Sequence, residues 1–338
     1  MTAQPFSGIR VIVYGVGAMG AIATRLLVDK GADIVGAIGR SPSKVGRDLG
    51  DVAGLGVALD VPVESDADAV LARGADVAVV CVGSYLSTMR PHFETCLRNG
   101  VNVVTIEEET VFPWTTAPDH AKALDTLAKA TCVTLAASGA QDVFWINLVT
   151  TLLGASHRVD SVIGHCQWNV DDYGPEVAGH LMVGQPKAAF DELVVSSGWP
   201  EFVARQTLEA LVSRLGLTVS AISSDVTAVT SEDPVYSKSL NAEIPPGAMV
   251  GTLDRTHIST EEGPEFSFAM EGRVYRDGET DTNSWQIKGE PDLALTCDKA
   301  NYRFTTCSTL INRIPDIIAA APGLCSLDSL GPASYQHH

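Results

Sequence analysis

Three consecutive glutamates, Glu107, Glu108 and Glu109, interrupt an apolar passage: VNVVTI precedes them at 101–106, and Val111, Phe112 and Trp114 follow. Carboxylates set among so much apolar sequence are costly unless they are exposed, paired or used, because charge resists leaving water. The work open to them is proton transfer, or stabilisation of a cation formed beside them. If the chain is still extended through the triplet, alternate side chains face opposite ways, which separates Glu108 from Glu107 and Glu109. Parity does not say which face meets a cleft, and a solvated charge run is the competing reading. Burial and the two neighbouring acids would both raise the pKa of the working carboxylate.

A second signature lies near the N-terminus, where VIVYGVGAMG places Gly15, Gly17 and Gly20 in GxGxxG register. An apolar strand precedes it and a helix opens at Ala18 and Met19, the setting in which this spacing reads as a dinucleotide-binding turn. Gly15 makes the tight turn, Gly17 lets backbone approach a pyrophosphate, and Gly20 lets helix pack on strand. The free N–H groups of the helix then face the phosphates. About twenty residues further on, NAD-specific chains carry an acid that bonds the ribose hydroxyls. Here the sequence is AIGRSPSK, and Arg40, Ser41, Ser43 and Lys44 offer donors and positive charge instead. NADP(H) is therefore the expected cofactor, with NAD(H) also accepted; a solvated basic loop is the alternative. VVCVGSYLSTM ends another strand in Gly83 and Ser84, at the carboxyl edge where such sheets bind ligands, so these two are expected beside the nicotinamide ribose.

These residues need a scaffold, and the first part of the chain supplies one. Strands are predicted at 9–14, 33–38, 76–82, 101–106 and 131–136, alternating with helices at Ala18–Lys30, Asp66–Arg73, Thr88–Asn99 and Ala117–Ala130. That alternation predicts an α/β fold, a Rossmann domain with a doubly wound parallel sheet over residues 1–150. In SGAQDVFWINLVTTLLG, Ser138 and Gln141 read as a capping box opening a helix that leaves this domain. Phe144 and Trp145 cannot share one face of that helix, so one of them points away from its main apolar stripe. From about residue 158 the texture changes to β-branched runs (158–162, 248–258, 266–275, 285–289) with a helix at Trp199–Leu215. A second, α+β domain with a mostly antiparallel sheet is expected over 151–304. A helix at Thr305–Ala321 opens the last segment, 305–338, which is expected to pack back on the first domain.

The 338 residues carry 23 basic and 41 acidic side chains, a net charge of −18, which repels nucleic acid and anionic membrane surfaces. No apolar run approaches the ~20 residues of a membrane span, and no signal peptide is evident, so a cytoplasmic location is expected. Seven scattered cysteines without a CxxC pair point to a reducing compartment and to no metal site.

VYGVGAMG, NVVTIEEE, GAQDVFWINLV and the two-domain length together resemble the native amine dehydrogenases, most nearly the myxobacterial type, and the related 2,4-diaminopentanoate dehydrogenases. These share the fold of dihydrodipicolinate reductase. The resemblance implies that Glu108 is the catalytic carboxylate and that Trp145 limits the size of the substrate pocket, with Phe144 beside it. It also implies pocket residues from CQWNVDDYG and AGHL, namely Trp168, Tyr173 and His180, and a homodimer joined through the second domains. The activity implied is NAD(P)H-dependent reductive amination of small ketones or aldehydes with ammonia, and oxidation of the matching primary amines. No paired histidines followed by lysine occur in the second domain, which disfavours the dicarboxylate substrate of dihydrodipicolinate reductase. Two rival readings remain: a dehydrogenase of 2,4-diaminopentanoate, which needs an anion-binding Arg or Lys, and a non-catalytic dinucleotide sensor.

Overall fold

The computed structural model describes residues 4–199 and 203–337. The chain divides into two compact units, Met1–Asn147 with Phe304–His338, and Leu148–Arg303.

The first unit is built on a seven-stranded sheet in the order Gly323–Cys325, Thr134–Ala137, Asn102–Thr105, Val77–Val80, Arg10–Tyr14, Asp33–Ile38, Val63–Glu64. Every pairing in it is parallel. Its central strands are buried on both sides, so VAVV and RVIVY read as near-continuous apolar runs. One face packs Ile12, Val80, Phe93 and Leu124; the other packs Val11, Val79, Leu27 and Ile314. This is the expected doubly wound parallel sheet.

Its edges differ from expectation. The single helix predicted at 305–321 is two, Tyr302–Asn312 and Ile314–Ala319, with Pro315 in the first turn of the second. A proline there lacks the N–H that would continue the preceding helix. The chain then returns as Gly323–Cys325 to add a parallel strand at the sheet edge.

The segment after Thr134–Ala137 also departs from the regular helix predicted for it. Gln141–Asn147 form a wide π turn that continues as the α-helix Leu148–Leu153. The capping box does not form: the Ser138 hydroxyl donates to Asp142 at 2.8 Å. Asp142 is engaged by Arg313, whose Nε and Nη2 donate to its two oxygens at 2.9 and 2.7 Å. Both side chains are essentially without solvent contact, at 2% and 0% exposure. Such local widening is common where a helix must present a particular side chain.

The second unit carries a six-stranded sheet ordered Leu293–Asp298, Thr282–Glu290, Arg158–Asn169, Glu265–Arg273, Met249–Thr260, Val219–Thr230. Only the pairing of Arg158–Asn169 with Glu265–Arg273 is parallel, so the sheet is mostly antiparallel as expected. Two of its strands, Val219–Thr230 and Leu293–Asp298, were not predicted, nor was the helix Lys187–Ser197. The helix predicted at 199–215 spans Ala204–Arg214. Trp199 lies outside it, Val203 before it has a left-handed φ of 60°, and 200–202 fall outside the described residues.

Candidate active site

The glutamate triplet sits where the strand Asn102–Thr105 leaves the sheet, and each member does something different. The chain is no longer extended there: Glu108 has φ −82° and ψ −31°, and a 3-10 turn follows at Glu109–Val111. The premise of the parity argument therefore fails, and the turn separates the three side chains instead. Glu107 is fully buried and locks that turn, accepting the N–H of Glu109 at 3.0 Å, the N–H of Thr110 at 2.9 Å and the Thr110 hydroxyl. Burial pushes its carboxyl up to about 8, against the pull of those donors. Glu109 accepts the Leu86 N–H at 2.6 Å. Leu86 opens the helix Leu86–Arg98, whose N-cap Tyr85 makes no capping bond of its own, so Glu109 satisfies an orphan donor and places negative charge at the positive end of the helix.

That leaves Glu108. Half-buried, it bonds to the Ser84 hydroxyl, and burial pushes its carboxyl up to about 7 while the Ser84 bond pulls the other way. The cause is burial rather than the adjacent acids. Ser84 and Glu108, chosen from separate motifs, thus meet at the carboxyl edge of the parallel sheet. Tyr85, which the sequence did not single out, is 45% exposed and close enough to Glu108 and Glu109 that burial and then their charges raise its hydroxyl pKa.

The glycine turn has the geometry its spacing demands. Gly15 has φ +98°, and a Cβ on it would lie 2.3 Å from the Cys81 carbonyl oxygen; a Cβ on Gly20 would lie 1.9 Å from the Gly15 oxygen. Neither position has room for a side chain. A Cβ on Gly17 would meet nothing within 4 Å, so the outer side of the turn is open for backbone to approach a pyrophosphate. Ala18 and Met19 form the first turn of Ala18–Asp29, which has no acidic residue to oppose an anion. A dinucleotide fits this cradle. Lys44 Nζ donates to the Val16 carbonyl at 2.7 Å, bringing its charge onto the turn itself. The hydroxyls of Ser41 and Ser43 are 2.9 Å apart and exposed. Arg40 is exposed and lies beside the Tyr14 hydroxyl. Gly83 follows Val77–Val80 and faces the Met89 side chain.

The expected pocket residues fall in both units. Trp145, 5% exposed, and Phe144, partly buried, belong to the π turn of the first unit. A π turn does not have the periodicity from which their facing was argued. Trp168 and Tyr173 are brought together in the second unit, ring centroids 5.2 Å apart at 87°. His180 ends the short helix Pro175–His180 and is exposed. Among the described residues, no group of three or more His, Cys, Asp or Glu could hold a metal ion, and no helix is long and apolar enough to cross a membrane.

Comparison with known proteins adds to this geometry. Residues 144–335, more than half of the chain, match the family described as the 2,4-diaminopentanoate dehydrogenase C-terminal domain. The chain is 25% identical over 333 residues to the 2,4-diaminopentanoate dehydrogenase of Acetoanaerobium sticklandii, covering 95% of this chain and 93% of that one. Among solved structures, the amine dehydrogenase from Mycobacterium smegmatis matches with a TM-score of 0.93 at 46% identity, covering 98% of each chain. A UDP-N-acetylglucosamine 3-dehydrogenase from Acidithiobacillus ferrooxidans matches at 0.60 with 12% identity, over 95% of this chain and 92% of that one, a likeness of fold alone.

Proposed function

The chain belongs to the family of the amine dehydrogenases and 2,4-diaminopentanoate dehydrogenases, and on that premise we propose that it reductively aminates small ketones and aldehydes with ammonia and runs the reverse oxidation of primary amines. Glu108 is the catalytic carboxylate. The observation that carries this is the division of labour in the triplet: Glu107 is consumed by its turn and Glu109 by a helix end, leaving Glu108 on Ser84 at the sheet's carboxyl edge.

Addition of ammonia to the carbonyl gives a carbinolamine, and the Glu108 acid gives its proton to the departing hydroxyl, which leaves as water. The resulting carboxylate then faces the cationic iminium and stabilises it. When bound, the nicotinamide cofactor supplies the hydride that reduces the iminium to the amine. With a carboxyl held up to about 7, both protonation states are within reach at neutral pH, which suits a group that must give and regain one proton per turnover. Gly15, Gly17, Ala18, Met19 and Gly20 hold the pyrophosphate, Gly83 and Ser84 flank the nicotinamide ribose, and Arg40, Ser41 and Lys44 face the adenosine 2′-phosphate. NADP(H) is the preferred cofactor and NAD(H) the lesser one. Arg40→Ala is expected to raise the Michaelis constant for NADPH about tenfold and to leave that for NADH unchanged, because only the former offers a charged partner. Steady-state kinetics with each cofactor measure this; an unchanged NADPH constant would make the segment an ordinary solvated loop.

Trp145 closes the substrate pocket, with Phe144, Trp168, Tyr173 and His180 contributing to its walls. Trp145→Ala should improve kcat/KM for the longer members of a methyl ketone series by about tenfold, the scale of a few methylenes gaining a site. Thermal unfolding checks that the protein remains folded, and an unaltered chain-length profile would remove Trp145 from the pocket. We place the active form as a homodimer formed through the second unit. Val219–Thr230 is a long, exposed edge strand and Ile163 is 41% exposed, features that a partner would cover. The relative from Acetoanaerobium sticklandii supports a second reading, a diamino acid substrate. Turnover on diamino acids but not on simple amines would select it.

A further inference from the structure

We propose that Tyr14 and His92 are positioning residues that set the preference for NADPH over NADH, by holding the Arg40 guanidinium where a 2′-phosphate would meet it. This rests on the reading of Arg40 given above.

Tyr14 is the last residue of Arg10–Tyr14 and is 4% exposed. Its hydroxyl lies 2.7 Å from Nδ1 of His92, on the helix Leu86–Arg98, and the two rings meet edge to face at 5.3 Å and 80°. Arg40, just past Asp33–Ile38, has its guanidinium beside the same hydroxyl and close to the His92 ring.

The direction of this chain follows from its donors. A guanidinium only donates, so the Tyr14 oxygen accepts from Arg40 and its single proton must go elsewhere. Nδ1 of His92 takes it, which requires a neutral ring carrying its proton on Nε2. Burial first, and then the Arg40 charge, lowers the His92 pKa and keeps the ring in that state. Burial likewise holds the Tyr14 hydroxyl up to about 12, so it remains a phenol.

An exposed arginine normally samples many rotamers, and ordering it on binding weakens affinity. Anchored on Tyr14, Arg40 is already ordered, with most of its fork still free for an anion. Asp68, on Ala67–Leu71, is the acidic group near the same hydroxyl, and an unanchored guanidinium would have it as an alternative partner. NADH, lacking the 2′-phosphate, is indifferent to all of this.

The test is direct binding of NADPH and NADH, followed by cofactor fluorescence, to wild type, Tyr14→Phe, His92→Asn, His92→Leu and Arg40→Ala. Tyr14→Phe and His92→Leu should raise the Kd for NADPH about fivefold, the scale of one hydrogen bond to a charged group, with that for NADH unchanged. His92→Asn should retain the wild-type ratio, since its amide oxygen can replace Nδ1 as acceptor. If Tyr14→Phe does not fold, the contrast between His92→Leu and His92→Asn decides. An equal weakening of both cofactors would reduce Tyr14 and His92 to core packing and overturn the proposal. So would an unaltered ratio in both Tyr14→Phe and His92→Leu when Arg40→Ala lowers it. An unaltered ratio in Arg40→Ala would overturn the reading of Arg40 itself, and this inference with it.

Discussion

Glu108→Gln is expected to lower kcat for reductive amination by roughly 10³-fold, within the span usual for a positioned acid or base, while the Kd for NADPH stays near the wild-type value. Glutamine keeps the shape and can still accept from Ser84, but it can neither give a proton to the carbinolamine nor oppose the charge of an iminium. The effect should fall on turnover far more than on binding, because the cation exists only after the carbonyl has reacted. Glu109→Gln, which retains an oxygen for the Leu86 N–H, should cost little activity. Loss of activity at Glu109 with full activity at Glu108 would reverse the assignment.

The same carboxyl sets a pH signature. Burial raises the Glu108 pKa from the usual carboxylate range to about 7, so the group is protonated below that pH and ionised above it. In amine oxidation the ionised form is the one needed, to accept the proton of the water that adds to the iminium. The kcat/KM for the amine should therefore rise with pH through about 7, and that limb should vanish in Glu108→Gln.

The largest stability effect is expected at Arg313. Its guanidinium donates to both oxygens of Asp142, to Asp316 at 2.8 Å and to the Gly331 carbonyl at 2.8 Å. Arg313→Met would leave Asp142 buried with only the Ser138 hydroxyl and the Asn147 amide, the latter at 2.7 Å, and no opposing charge. An uncompensated buried charge costs about 3–5 kcal/mol. For a unit of this size that lowers the melting temperature by about 10 °C. The double variant Asp142→Leu, Arg313→Met should recover much of the loss, since replacing both charges removes the burial penalty. Thermal unfolding monitored by circular dichroism measures all three proteins; a single variant that melts with wild type would show that the pair contributes no net stability. The pair also anchors the π turn that presents Trp145, so fold and pocket share one support.

The parallel sheet was legible because strands buried on both faces leave apolar runs, and because three glycines are needed where backbone and helix approach so closely. Val219–Thr230 was not, since an exposed edge strand of small and polar residues has no inward face to impose alternation. Gly323–Cys325 was hidden by its shortness and its distance along the chain from its partner. The triplet was readable as a place but not as a mechanism. Parity singled out Glu108 on the assumption of an extended chain, whereas the separation comes from a turn locked by Thr110 and a helix end reached from Leu86, contacts no local pattern encodes. Arg313 with Asp142, and Tyr14 with His92, join residues 171 and 78 positions apart, beyond any spacing rule.

The most direct measurement is NADPH oxidation with a panel of short ketones, aldehydes and keto acids, with and without ammonia, by wild type and Glu108→Gln. Oxidation of NADPH by wild type that requires both ammonia and a short ketone or aldehyde, and its loss in Glu108→Gln, are the expected results. NADPH binding without turnover on any of these substrates, or undiminished turnover in Glu108→Gln, would contradict the assignment of Glu108 as the carboxylate of an amine-forming site.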